Sequence, residues 1–259
     1  MAQGRPLALV TGASSGIGFE LAKLFADDGY DLIVAADDDG IHASADKLAA
    51  SGTEVRAVQV DLRKEAEVDR LYSSATEDGR RMDAAALNAG TGGGGNRFVD
   101  RGLEEDFNVI DLNVRGTVQL AKLILGDMVS ANSGKLLFTS SIVAMMPGSY
   151  QTIYNASKSF VQSFAEALQD ELRDTDVTIT ALMPGPTDTN FFRRVNMLDT
   201  LVGKMPKDDA GKVAKQGYDA LMQGRKKIVA SSPLSKGMGL VNRFLPDSVK
   251  AASNRLISR

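Results

Sequence analysis

The sequence predicts an α/β fold, a doubly wound parallel sheet of about seven strands with helices on both faces, in a single domain spanning residues 1–259. Three observations lead there. Short apolar runs of strand length alternate with longer segments of helical periodicity, a rhythm that calls for helical crossovers between parallel strands. The first strand–helix junction is a glycine-rich turn, Thr11-Gly12-Ala13-Ser14-Ser15-Gly16-Ile17-Gly18. A length of 259 residues is one that α/β folds commonly reach as one unit.

Residues 7–10 form the first apolar run and residues 19–25 have helical spacing, so the glycine turn joins a strand to a helix. Glycines there let the backbone approach a pyrophosphate, and the following helix N-terminus offers free N–H groups and the positive end of its dipole. Residues 31–36 read as the second strand, ending at Asp37-Asp38-Asp39-Gly40. Asp37 lies nineteen residues beyond Gly18, the distance at which an acidic residue meets a ribose hydroxyl in such folds. The same run is also a turn and helix-cap sequence, and different aspartates can serve each role.

Residues 41–51 read as a helix with His42 on its surface, residues 54–60 as a third strand closing on Asp61-Leu62, and residues 63–75 as a further helix. A fourth strand over 83–87 closes on Asn88-Ala89-Gly90. The low-complexity run 91–95 follows at the carboxyl end of a strand, where open α/β sheets bind ligands, and is expected to be a mobile edge of the site. A long helical segment, 103–130, contains Asn113, and a fifth strand over 135–139 leads into Ser141. From Tyr154 a helix carries Phe160, Phe164, Leu168 and Leu172 at spacings of four, as core or subunit contacts. A sixth strand over 177–183 runs into Pro184-Gly185-Pro186-Thr187-Asp188-Thr189. Residues 190–222 hold two helical candidates with Phe191, Phe192, Met197, Leu198, Leu201 and Met205, and are expected to cap the substrate site. Residues 227–230 are the seventh strand, and 240–259 a basic, weakly amphipathic tail.

Composition narrows the chemistry. Hydrophobic residues make up 43% and charged residues 24%, ordinary for a globular chain and contrary to long disorder. The absence of cysteine excludes disulfides, thiolate metal sites and a cysteine nucleophile. A single histidine, His42, argues against zinc chemistry and a Ser-His-Asp hydrolase. A net charge of −3 with dispersed cations gives no reason to expect nucleic acid. With no membrane-length apolar run and no cleavable leader pattern, a soluble, cytoplasmic protein acting on a small molecule is expected, with no metal and no membrane partner.

The chemistry centres on Tyr154 and Lys158, four residues apart and therefore on one face of a helix. A phenol has an ordinary pKa of about 10, and a fixed ammonium nearby favours the phenolate. The pair could make a proton donor and acceptor that works near neutrality. Ser141, thirteen residues earlier and across a Pro147-Gly148 turn, could return a hydroxyl to the same place. Taken alone, a Tyr-x-x-x-Lys pair is a weak motif.

In combination, Thr11-Gly12-x-x-x-Gly16-Ile17-Gly18, Asp61-Leu62, Asn88-Ala89-Gly90, Asn113, Ser141, Tyr154-x-x-x-Lys158 and Pro184-Gly185 resemble the short-chain dehydrogenase/reductase family, over nearly the whole chain from Leu7 to about Val229. The resemblance implies a Rossmann-type sheet and hydride transfer between a nicotinamide dinucleotide and a secondary alcohol or ketone. It implies Tyr154 as general acid/base, Ser141 as partner of the substrate oxygen, Lys158 on the nicotinamide ribose and lowering the Tyr154 pKa, and Asn113 supporting a proton-relaying water. The cofactor contacts it implies are Gly12, Ser14, Ser15, Gly16, Ile17 and Gly18 at the pyrophosphate, Asp37 at the ribose, Asp61 and Leu62 at the adenine, and Asn88, Ala89 and Gly90 at the adenosine side. Pro184, Gly185, Thr187 and Thr189, with Tyr154 and Lys158, would meet the nicotinamide half. Leu87 departs from a common family asparagine, and the Gly92–Gly95 run is richer in glycine than the usual loop. No cation stands among Ser15, Asp37, Asp38 and Asp39, so NAD rather than NADP is expected. Two alternatives stay open, a reductase of carrier-bound or thioester-linked ketoacyl groups and a non-catalytic dinucleotide sensor. By the same resemblance the helices at 103–130 and 154–172 would build a homodimer or homotetramer.

Overall fold

Side-chain alternation along the strands sets the layers, because successive residues of a strand face opposite sides of its sheet. In β1 (Leu7–Thr11), Leu7 and Leu9 enter one apolar cluster while Ala8 and Val10 enter another. β2 (Asp31–Ala36) repeats this with Ile33 and Ala35 against Leu32, Val34 and Ala36. In β4 (Ala84–Leu87) the division is Ala85 and Leu87 against Ala84 and Ala86. Strands buried on both faces read as near-continuous apolar runs, and each face needs its own helical cover. The computed structural model describes residues 4–195, 197–230 and 255. The tail expected over 240–259 lies outside the described residues apart from Arg255.

With β3 (Val55–Gln59), β5 (Gly134–Thr139), β6 (Val177–Pro184) and β7 (Lys227–Ala230), the strands form one seven-stranded parallel sheet in the order β3-β2-β1-β4-β5-β6-β7. α1 (Gly16–Asp27) and α2 (Gly40–Ala49) cover one face. α3 (Glu65–Thr76) helps cover the other. The winding direction changes between β1 and β4, which pair directly at Ala8↔Ala84 and Val10↔Ala86. Their carboxyl ends therefore open into the crevice that doubly wound sheets use for ligands.

Two expectations are refined. The helical stretch 103–130 is α4 (Leu103–Ile110) and α5 (Thr117–Ser130) joined by a π-helical turn, Asp111–Gly116, with Asn113 inside it. Such turns insert one extra residue per hydrogen-bonded ring and recur at functional sites. After α6 (Thr152–Glu171), the stretch 190–222 resolves into three helices, α7 (Phe191–Arg194), α8 (Leu201–Lys204) and α9 (Ala210–Met222). α9 packs along α1 and sends Val213, Ala214, Tyr218 and Leu221 into the core, so it belongs to the helical layer and not to a cap. Only the part before it, with the small cluster of Phe192, Val195 and Met197, is placed to cover a site.

Candidate active site

The glycine turn is tight because it must be. Gly12 and Gly16 adopt φ of +66° and +58°, conformations that disfavour a side chain. A Cβ on Gly18 would overlap the Gly12 carbonyl oxygen, and one on Gly16 would stand 2.8 Å from Thr189 Cγ2. Ser15 caps α1 without a side-chain hydrogen bond, leaving the first-turn N–H groups directed into the loop. Ile17 packs on the core beside this turn. The next strand end is stitched to it: Thr11 Oγ1 accepts from the N–H groups of Asn88 and Ala89, both at 3.0 Å, and Asn88 Nδ2 donates to Thr11 O at 3.2 Å. Asn88 Oδ1 accepts from Thr139 Oγ1 at 3.1 Å. Leu87, the departure noted above, turns into the core, where a polar side chain would have had no use.

β5 ends at Thr139, and Ser141 caps the short 3₁₀ turn that follows, accepting from Val143 N–H at 3.3 Å. Ser141 also hydrogen-bonds the Tyr154 hydroxyl, a contact that favours the phenolate. Burial acts the other way and more strongly, pushing the Tyr154 phenol up to about 12. The helical spacing does bring Lys158 beneath Tyr154, with its Nζ 6.0 Å from the ring centroid. That ammonium, however, donates to Thr139 O at 2.9 Å, and burial pushes it down to about 8. The expectation that Lys158 lowers the phenol is thus met by a counterforce in the protein alone, where desolvation dominates both groups.

Asn113, 1% exposed, clamps the turn after β4. Its Oδ1 accepts from Thr91 N–H at 2.9 Å, and its Nδ2 donates to Thr91 O at 2.8 Å and to Ser157 Oγ at 3.0 Å. A Cβ on Gly90 would stand 3.1 Å from Lys158 Nζ and 3.3 Å from Asn113 Oδ1, so glycine is what brings Asn113, Lys158 and the β4 end together.

Across the crevice, Pro184 O accepts from Ser141 Oγ at 3.5 Å, Gly185 N–H donates to Ala230 O, and buried Thr187 donates to Gly185 O at 2.9 Å. Thr189 Oγ1 accepts from Phe191 N–H at 3.2 Å, carrying the chain from the glycine turn to α7. Phe191 lies against Tyr154, ring centroids 5.5 Å apart. A cavity of about 360 Å³ lies beside the glycine turn, lined among others by Ser15, Gly16, Thr189, Arg193 and Lys207.

At the adenosine end the aspartates divide their work. Asp37 is exposed and its carboxylate has no hydrogen-bond partner among the described residues. Asp38 accepts from Gly40 N–H at 3.1 Å, Ser14 Oγ at 2.8 Å and Arg194 Nη2 at 3.0 Å. Asp61 is gripped by Arg63, whose Nε and Nη2 donate at 2.7 and 2.9 Å and hold its carboxyl below the usual range. The Leu62 side chain turns into the core, so a ligand meets at most its backbone. The end of β2 is consequently not free of cations: Arg194 reaches it from 156 residues away, and Arg63 feels the Asp37 charge. From the sequence, Arg193 and Arg194 stand out only as cations near the site that could meet an acidic carrier; the placement of Arg194 at the end of β2 was not legible, because nothing local marks so distant a pairing.

A parallel sheet with this crevice, carrying a glycine turn and a Tyr-Lys-Ser cluster at its mouth, defines a dinucleotide-fold oxidoreductase. A sequence model of the short chain dehydrogenase family matches residues 6–199, and the chain belongs to that family. It is 32% identical over 218 residues to oxidoreductase UcpA of Salmonella typhimurium, covering 83% of this chain and 79% of that protein. It is also 32% identical over 194 residues to an uncharacterized oxidoreductase of Staphylococcus aureus strain MRSA252, covering 74% and 83%. A short-chain dehydrogenase from Sphingobium yanoikuyae, solved in complex with NADPH, superposes with a TM-score of 0.82 at 27% identity, covering 92% of each chain.

Proposed function

We propose that the protein interconverts a secondary alcohol and a ketone with NAD(H), with Tyr154 as general acid/base. The observation that carries this reading is the convergence of Tyr154, Ser141 and Lys158 at the carboxyl end of β5, under Phe191 and beside Gly90. The residues fit a dinucleotide: the glycine turn, where added Cβ atoms would collide, leaves a backbone cradle, and unengaged N–H groups of α1 face it. Bound there, the nicotinamide supplies or takes the hydride.

The remaining work is done by the chain. Tyr154, protonated throughout the neutral range, donates its proton to the ketone oxygen during reduction, and its phenolate takes one from the alcohol during oxidation. Ser141, fixed by Val143 N–H, holds the substrate oxygen beside that hydroxyl. Lys158 would hold the ribose and, charged near neutral pH, offset part of the desolvation of the phenolate. Asn113 keeps the turn after β4 closed behind it. Residues 190–195 and 197–205 cover the substrate, with the Phe191 ring lying against Tyr154. Asp37, its carboxylate unengaged, is suited to accept from both adenosine ribose hydroxyls and to repel a 2′-phosphate. The NADPH complex of the Sphingobium relative is the comparison that makes this a point to measure. A ketoacyl-carrier reading draws only on Arg193 and Lys207 at the cavity, since Arg194 is paired with Asp38.

The test is a panel of simple alcohols, ketones and one ketoacyl thioester, read by reduced-nicotinamide absorbance with NAD and with NADP. Turnover of secondary alcohols with NAD supports the reading. Tight NADH binding without turnover of anything on the panel would favour the sensor instead.

A further inference from the structure

We propose that Arg194 is a determinant of cofactor choice, held out of action by Asp38, whose carboxylate occupies the position that a ribose 2′-phosphate would take. The inference rests on the dinucleotide reading above and goes beyond it, since that reading assigns discrimination to Asp37 alone.

Asp38 follows β2 and hydrogen-bonds the glycine turn through Ser14, so it lies between the two elements that flank the adenosine ribose in a doubly wound sheet. Its carboxylate is itself an anion in a donor cradle. The Ser14 hydroxyl and the Arg194 guanidinium both converge on Oδ2, at 2.8 and 3.0 Å, while Gly40 N–H serves Oδ1. A hydroxyl and a guanidinium on one oxygen are what a phosphate would recruit, because guanidinium pairs with carboxylate and phosphate through the same planar donor geometry. Arg194 is 53% exposed and Asp38 39% exposed, so the pair is reachable from solvent and its partners can exchange. The cation comes from α7, beyond Thr189, which touches the glycine turn at Gly16. Thus the segment that crosses the nicotinamide end also delivers a charge to the adenosine end. With Asp38 present, an incoming 2′-phosphate meets a neutralised pair plus the free Asp37 carboxylate, and is disfavoured. Without Asp38, the same phosphate meets Ser14 and an unpaired guanidinium.

The experiment uses the full chain and reads binding without turnover. Calorimetry compares 2′,5′-ADP with 5′-AMP, which differ only in the 2′-phosphate, for the parent, Asp38→Ala, Arg194→Ala and the double variant, with Asp38→Asn as a near-isosteric control. Asp38→Ala is expected to tighten 2′,5′-ADP by about tenfold and Asp38→Asn by less, with 5′-AMP changed by under about threefold. In the double variant the gain should vanish. No gain for 2′,5′-ADP in either Asp38 variant, or a gain that survives removal of Arg194, overturns the inference. NADH binding to the parent is measured alongside: its presence with a negative fragment result removes only this inference. Its absence, with NADPH also unbound, removes the dinucleotide reading and this inference together.

Discussion

At the scale of single residues, the site is a contest between burial and charge. Tyr154→Phe keeps the ring and its contact with Phe191 and loses only the transferable proton. We expect kcat to fall about 10²- to 10⁴-fold with NADH affinity nearly unchanged; turnover within about twofold of the parent would reassign the acid. Lys158 permits a stability test with a definite sign. Its folded-state pKa, about 8, lies below the ordinary 10.5, so between those values the unfolded chain binds more protons and stability rises with pH. Below about pH 8 the folded protein must keep a buried ammonium, and its cost is fully present. Lys158→Met removes that ionisation, so its Tm relative to the parent should be more favourable at pH 7 than at pH 9.5. The lost hydrogen bond to Thr139 O cannot mimic a change of this form if it costs the same at both pH values. Thermal unfolding at the two pH values checks it, and an unchanged difference counts against the buried ammonium.

At the scale of elements, the glycines after β1 and after β4 serve different ends. A Cβ on Gly18 would meet backbone, the Gly12 carbonyl, which cannot swing aside. One on Gly92 would meet the Phe191 ring at 2.8 Å and Tyr154 Cδ2 at 3.2 Å, side chains that can partly yield. A Cβ on Gly94 would meet Gln151 and Met197, and one on Gly93 would meet the Arg101 guanidinium. Arg101 is itself paired with buried Asp106, its Nε 2.8 Å from Oδ1, so the glycine run has a fixed support there. Gly18→Ala is therefore expected to lower Tm, at a cost of about 1–3 kcal/mol typical of overpacking, and to abolish tight NADH binding. Gly92→Ala should change substrate KM several-fold and leave NADH affinity intact. Equal effects of the two on cofactor binding would contradict this division.

At the scale of the whole molecule, α4 and α6 pack together and leave Phe107 and Phe160 outward, 51% and 41% exposed, with Leu103 nearby in sequence at 64%. Exposed aromatics on adjacent helices are costly unless covered, and a self-complementary helical face is the usual basis of a two-fold contact. We expect a homo-oligomer in solution. Phe107→Glu combined with Phe160→Glu should reduce the mass seen by light scattering to that of one chain; an unchanged oligomeric mass would place the contact elsewhere. No helix among the described residues is long and apolar enough to cross a membrane.

What the sequence determined by itself is everything that depends on short-range order. Strand and helix rhythm, the glycine turn, and the Tyr154 and Lys158 spacing all express periods of two or about four residues, and these periods alone place Lys158 under Tyr154. The strand ends at Asp37, Asn88 and Ser141 were legible for the same reason. Only the tertiary structure decided how those ends are used. It divided Asp37 from Asp38, spent Asp61 on Arg63, turned Leu62 inward, assigned α9 to the core, and brought Arg194 across to Asp38. It also reversed the expected direction of the Tyr154 shift in the protein alone, because desolvation is a sum over all surrounding atoms and not over neighbours in sequence. Pairings between loops that meet only once the sheet has formed leave no periodic trace in the chain.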